Sequence, residues 1–237
     1  MKGLRLLTLT VLLLVSCRTL PAINPVSPQP ESKASVCPVC PSPFLKEPYR
    51  LVHVIEARVA GETQGAIIGV TLINPSSRFV SCAIMTAEGM VLFEAEAAPL
   101  LKLIRALPPF DSRDFTRNMM EDIKLIFLAP EGKVTTKGIL SDGAEICRWQ
   151  TESAEFVDVI ARPQETFEIN RYTASGEWKR RVKLKHSKEN LYQNIELTAK
   201  DAFDYSLVMT LIESEPAESE LQTKNQGLPD NEKNCGR

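Results

Sequence analysis

Residues 51–97 read LVHVIEARVAGETQGAIIGVTLINPSSRFVSCAIMTAEGMVLFEAEA, and this stretch decides the fold. Leu51–Ala60 is rich in valine and isoleucine, and Gly61-Glu62-Thr63-Gln64-Gly65 then turns the chain. Ala66–Ile73 is a second run of this kind, Asn74-Pro75-Ser76-Ser77 a second turn, and Arg78–Met85 a third run. Ala87-Glu88-Gly89 leads into Met90–Ala97. Short β-rich runs bounded by such turn residues predict an antiparallel meander. The last run alternates: Val91, Phe93, Ala95 and Ala97 share one face and Glu94 and Glu96 take the other, the pattern of a half-buried strand.

Two helical patterns follow. Pro99 suits a helix start, and Leu100, Leu103, Ile104 and Leu107 recur at i, i+3, i+4 and i+7 before Pro108-Pro109. Asp111 or Ser112 can cap a second helix, whose stripe is Phe115, Met119, Ile123, Ile126 and Phe127, ending before Pro130. Strands then return at Glu145–Gln150, Phe156–Ala161, Thr166–Tyr172, Trp178–Lys185, Tyr192–Ala199 and Tyr205–Ile212, with Ala174-Ser175-Gly176 as a hairpin turn. In the strand from Trp178, the apolar Trp178, Val182 and Leu184 face away from Lys179, Arg181, Lys183 and Lys185. Ile195 and Leu197 likewise alternate with Glu196 and Thr198. The basic stripe reads as a solvated strand face, with anionic lipid head groups as the other reading.

The N-terminus carries its own message. Lys2 and Arg5 precede an apolar stretch, Leu6–Val15, too short to span a bilayer, which takes roughly 20 residues. It fits the apolar centre of an export signal. The stretch ends in Leu14-Val15-Ser16-Cys17, which resembles the lipobox of bacterial lipoproteins. That resemblance implies cleavage before Cys17, diacylglycerol on its sulfur, and a further acyl chain such as palmitate on its amine. It also implies a stable membrane anchor. Arg18 at the following position favours the outer membrane, with the domain facing the periplasm and the cell surface as a further possibility.

The chain is then expected to divide into a signal peptide (1–16), a lipidated N-terminus with a proline-rich linker (17–48), a domain (49–213) and a disordered polar tail (214–237). Extended as polyproline II, the linker would reach roughly 90 Å. The 237 residues are 43% hydrophobic and carry a formal net charge of −2, which offers no argument for nucleic acid. Beyond the signal no apolar stretch is long enough to span a membrane.

Little in the sequence points to chemistry, and the reading is a protein without catalytic residues, metal or cofactor. The two histidines, His53 and His186, form no zinc-binding pair, and no phosphate loop, dinucleotide fingerprint or nucleophile elbow is present. Asp111/Asp114 and Glu121/Asp122 read as caps and solvated charge. Cys37-Pro38-Val39-Cys40 is the most tempting motif, but no strand–helix unit surrounds it. It reads as a local Cys37–Cys40 disulfide or two free thiols, with cross-linking to another molecule as the alternative. Cys82 and Cys147 lie in apolar runs, where a free cysteine serves as a small hydrophobe.

Lipobox, linker, strands, amphipathic helices and more strands, in that order, are similar to the LolA/LolB-like fold and to the outer-membrane lipoproteins related to LolB. The residues carrying the resemblance are Thr86–Phe93, Met119–Phe127 and the closing strand pair Asn194–Ile212. It implies an α+β, mainly β fold: a curved antiparallel sheet forming an incomplete barrel, lidded by amphipathic helices. It also implies a cavity for acyl chains or lipoprotein cargo. Val91, Phe93, Trp178, Val182, Leu184, Ile195 and Leu197 would line the wall, and Leu103, Ile104, Leu107, Phe115, Met119 and Ile123 the lid. The exposed apolar loop that LolB uses has no counterpart in the polar turns at 61–65, 74–77 and 86–89. Two functions remain open: lipid or lipoprotein transport in envelope biogenesis, and a tethered, non-catalytic module that binds an envelope protein.

Overall fold

The computed structural model describes residues 20–25, 40–97, 99–163, 166–188, 191–200 and 204–217. The signal and Cys17, Cys37, Cys235 and the tail beyond 217 lie outside them, as does the side chain of His186. In chain order the elements are β1 (Asn24–Pro25), β2 (Tyr49–Val59), β3 (Glu62–Asn74), β4 (Phe79–Met85), β5 (Val91–Ala97), β6 (Leu101–Ala106), α1 (Arg113–Phe127), β7 (Lys133–Ile139), β8 (Glu145–Gln150), β9 (Phe156–Arg162), β10 (Thr166–Tyr172), β11 (Trp178–Lys188), β12 (Leu191–Ala199) and β13 (Tyr205–Pro216).

The thirteen strands form one sheet in the order β1-β7-β8-β9-β10-β11-β12-β13-β2-β3-β4-β5-β6. Every neighbouring pair is antiparallel. Two meanders, β2–β6 and β7–β13, are thus fused where β13 pairs with β2, from Tyr205 opposite Val59 to Pro216 opposite Tyr49. The sheet stays open, with β6 at one edge and β1 at the other. Its curvature follows from packing. Val157 and Val159 of β9 belong to the same buried cluster as Phe93 of β5 and the helix residues Met120, Ile123 and Ile126. Flat, those strands would stand roughly 40 Å apart at about 4.8 Å per strand, so the sheet must curl around α1. The open, curved antiparallel sheet is the mainly β incomplete barrel that the resemblance implies, built from the meander that the alternation predicts.

Ser112 caps α1, its hydroxyl accepting from the Phe115 N–H at 3.0 Å, which is ordinary N-cap chemistry. A polar lock fixes the helix to the sheet. Arg180 Nε donates to Asp122 Oδ1 at 2.8 Å, the Tyr205 hydroxyl donates to Asp122 Oδ2, and the Arg180 guanidinium lies 5.6 Å from the Tyr205 ring centre. Arg171 adds ion pairs to Glu155 and to Glu121 of the helix.

Three expectations are corrected. The predicted helix at 99–107 is the edge strand β6. A segment this short, between Pro99 and Pro108-Pro109, cannot repay helix nucleation. As a strand it sets Lys102 opposite Glu96 and Arg105 opposite Glu94, which are favourable cross-strand pairs. The lid is therefore one helix, not two. Next, Cys40 bonds to Cys147 on β8 and not to Cys37, so Cys147 is no free hydrophobe. Last, the domain is not confined to 49–213. Leu20–Pro25 and Cys40–Pro48, expected in the linker, pack on it: Phe44 and Leu45 are buried, and the Leu45 N–H bonds the Phe127 carbonyl at 3.2 Å. At the far end β13 runs on to Pro216, and Ala217 is buried. The disulfide spans 107 residues, and closing a loop of that size typically stabilises by about 2–4 kcal/mol. Cys147→Ser should lower unfolding stability by about that much in urea titration.

Candidate functional site

The inner face of the sheet, covered by α1, collects the residues read as a cavity wall. Phe93, Ile123, Val182, Leu184, Ile195 and Leu197 are all buried in one cluster. They pack on each other as core. His53 sits in the middle of this face, opposite Gly69 and with its ring 6.0 Å from that of Phe127. Among the described residues neither ring nitrogen has a hydrogen-bond partner, and burial lowers its pKa to about 4. It is a structural histidine held neutral.

The sign of the linkage is definite. Below 6.5 the unfolded chain takes up a proton that folded His53 refuses until about 4, so stability is lost as pH falls through that window. The loss amounts to about 3 kcal/mol. His53→Leu should flatten the slope of unfolding free energy between those pH values, measured by denaturant titration. Cys82 stands nearby on β4, its thiol pushed up to about 12 by burial, which makes it unreactive. Among the described residues, no three His, Cys, Asp or Glu side chains converge as a metal site.

Trp178 does not join the wall. The register shifts by one residue where β11 meets Tyr172 of β10, so Trp178 turns to the outer face, with the Arg181 guanidinium 5.3 Å from its ring centre. There it borders a cleft of about 480 Å³ lined also by Pro21, Ile160, Arg162, Glu168 and Asn170. The charged and amide groups of the cleft bond one another: Asn170 Nδ2 donates to Glu168 at 2.8 Å, Arg181 Nε to Asn170 at 3.1 Å, and Arg162 Nε to Glu168 at 3.3 Å, while the buried Trp178 indole N–H has no partner among the described residues. Within the basic stripe, Lys185 pairs with Glu196 at 2.6 Å, Arg181 with Glu168 at 3.3 Å and Lys179 with Glu155 at 4.0 Å. It behaves as an ordinary solvated strand face.

The remaining predicted residues gather at the β6 edge. Leu101 and Leu103 lie opposite Ala97 and Ala95, whose side chains belong to the buried inner cluster. The helix packs on β4 and β5. Leu101 and Leu103 consequently remain 42% and 41% exposed although they face inward. Ile104 and Leu107 are exposed beside them, and Leu100, in the β5–β6 connection, is 81% exposed. Phe115 and Met119 are half-buried, with Phe115 stacked edge-on against Phe93 and Phe110 at 5.7 and 5.2 Å. Val91, read as a wall residue, does not join this face: the register shifts by one residue after the Ile84–Phe93 pair, and Val91 lies opposite Met85 on the outer face. Deep core thus grades into an apolar mouth between β6 and the start of α1. Exposed apolar side chains on an inward face single out this edge as the candidate site.

No family model matches the chain, and no characterised relative matches it. Among solved structures it is similar to a LolA superfamily protein from Nitrosomonas europaea, at 7% identity and a TM-score of 0.48, over 73% of this chain and 87% of that one. The site itself rests on the chain's own geometry. Sequence periodicity found Leu103, Ile104 and Leu107 but assigned them to a helix, and it passed over Leu101. The signal that separates mouth from core is strand position, an edge against a centre, and that requires the pairing order.

Proposed function

We propose that this chain is a lipid-anchored, non-catalytic lipoprotein of the bacterial envelope whose half-barrel accepts an acyl chain, free or borne by a lipoprotein, at the mouth beside β6. The observation that carries the reading is the exposure of Leu101 and Leu103 on the inward face, continuous with the buried core around Phe93. An acyl chain laid there gains by area burial alone, at about 25 cal/mol per Å², and needs no catalytic group. The lipobox at Leu14–Cys17 supports the anchor and Arg18 an outer-membrane address. Cys17→Ser should leave an unprocessed precursor that no longer fractionates with membranes; normal processing of that variant would contradict the anchor. Titration with a fluorescent fatty acid tests the mouth. Leu101→Asp with Leu103→Asp should weaken binding at least tenfold, and unchanged binding would contradict it.

A second reading is favoured by the filled core and by the edge position of β6. An edge strand presents unpaired backbone groups that an extended segment of another protein can pair with. In that case the fatty acid fails to bind while an envelope protein is captured through β6.

A further inference from the structure

We propose that Leu20–Pro25 is a strap that holds the β10–β11 end of the domain against the bilayer carrying Cys17, so that the domain does not ride on a long tether. This rests on the lipid-anchor reading above. The strap is bound along its whole described length. Leu20 lies over the β10–β11 turn, where a side-chain carbon built on Gly176 would stand 3.4 Å from Leu20 Cγ. The Pro21 carbonyl accepts from Arg148 Nη2 at 3.2 Å. Ile23 packs on the outer-face cluster of Ala144, Ile146 and Ile160. Asn24 and Pro25 pair with Ile139 and Gly138 of β7.

Gly138 is the most telling contact. Its φ lies outside the positive region that favours glycine, yet a Cβ there would stand 2.2 Å from the Asn24 carbonyl oxygen. The backbone of β7 at this point would accept any residue; the strap alone demands glycine.

The consequence is geometric. Three residue steps separate Cys17 from Leu20, a span of at most about 11 Å. A free linker over 17–48 would allow roughly 90 Å. The anchor therefore leaves the domain beside the turn at Thr173–Glu177. Because neighbouring strands are antiparallel, the start of β11 lies at the same end as the end of β12, the start of β13 and the end of β2. The start of β5 and the end of β6 share that end too. Exposed Met90 and Leu107 thus face the bilayer, and the lower end of the mouth opens toward lipid.

The test uses the full-length lipidated protein in phosphatidylethanolamine/phosphatidylglycerol vesicles containing a dansyl-headgroup lipid. The chain has two tryptophans, so Trp149→Phe leaves Trp178, two residues beyond Gly176, as sole donor. Strong energy transfer from Trp178 is expected. Gly138→Val should displace the strap and reduce transfer at least twofold while sedimentation with vesicles is unchanged. Ile23→Asp, which alters the strap and not the sheet, should do the same and covers the case in which Gly138→Val fails to fold. Equal transfer in the parent and in the folded strap variants, or transfer already weak in the parent, would overturn the strap. A parent protein that does not sediment with vesicles would overturn the anchor reading, and the strap with it.

Discussion

Replacing Arg148 by methionine should destabilise the domain by about 3–5 kcal/mol, because it strands a buried carboxylate. Asp158 is 0% exposed on the outer face of β9, where it is paired with Arg148 of β8, whose Nε and Nη2 each donate to a carboxylate oxygen at 2.7 Å. Burial already pushes the Asp158 carboxyl above the ordinary carboxylate range, and Arg148 offsets that only in part. Removing the guanidinium raises it further. Between the ordinary carboxylate pKa, near 4, and the raised folded value, the native state holds a proton that the unfolded chain has released. Stability therefore falls as pH rises through that window, and the defect in Arg148→Met should shrink on acidification. The double variant Arg148→Met with Asp158→Leu should recover most of the loss, since an apolar pair leaves no charge uncompensated. Urea unfolding of the three proteins at two pH values checks each part. A single variant within about 0.5 kcal/mol of the parent, the scatter of ordinary surface changes, would show that the pair is not buried in solution.

A second pair of substitutions divides core from mouth. Val182→Glu should abolish cooperative folding. Val182 is fully buried on the central strand β11 amid Leu184, Ile195 and Leu197, and an unpaired charge there costs several kcal/mol, comparable to the whole stability of a domain. Leu103→Glu faces the same side of the sheet but stands on the uncovered edge, where the carboxylate reaches water. Its effect should stay within about 0.5 kcal/mol. Thermal melts followed by circular dichroism distinguish them. If Val182→Glu melts like the parent, the inner face holds solvent or ligand and is not close-packed.

The strands were legible in residues 51–97 because their alternation reports one buried face and one wet face, and turn residues mark each reversal. The helix at Arg113–Phe127 was legible from its stripe and from Ser112. Leu100–Leu107 misled because a register shift at Ile104 breaks the alternation of Leu101 and Leu103 with Lys102 and Arg105, so that the apolar residues fall at i, i+3, i+4 and i+7 as on a helix. β7, Lys133–Ile139, escaped notice because it is mostly exposed and so lacks the alternation that burial imposes. Trp178 was placed on the wrong face by parity, since a one-residue register shift inverts every assignment beyond it. The Cys40–Cys147 bond could not be read from spacing, because local proximity favours Cys37 and only the fold brings β8 alongside Cys40. The proline-rich start reads as free linker, yet Leu20, Ile23, Phe44 and Leu45 are the apolar residues in it that find a surface.

Native mass spectrometry of the soluble protein, produced without its lipid signal, tests the acyl-binding claim most directly. The account predicts an adduct with the mass of a fatty acid or phospholipid on the parent, lost when Leu101→Asp and Leu103→Asp are combined and retained in Arg148→Met where that variant folds. A parent that is ligand-free under conditions preserving non-covalent lipid, or adducts equally abundant on parent and double variant, would contradict it.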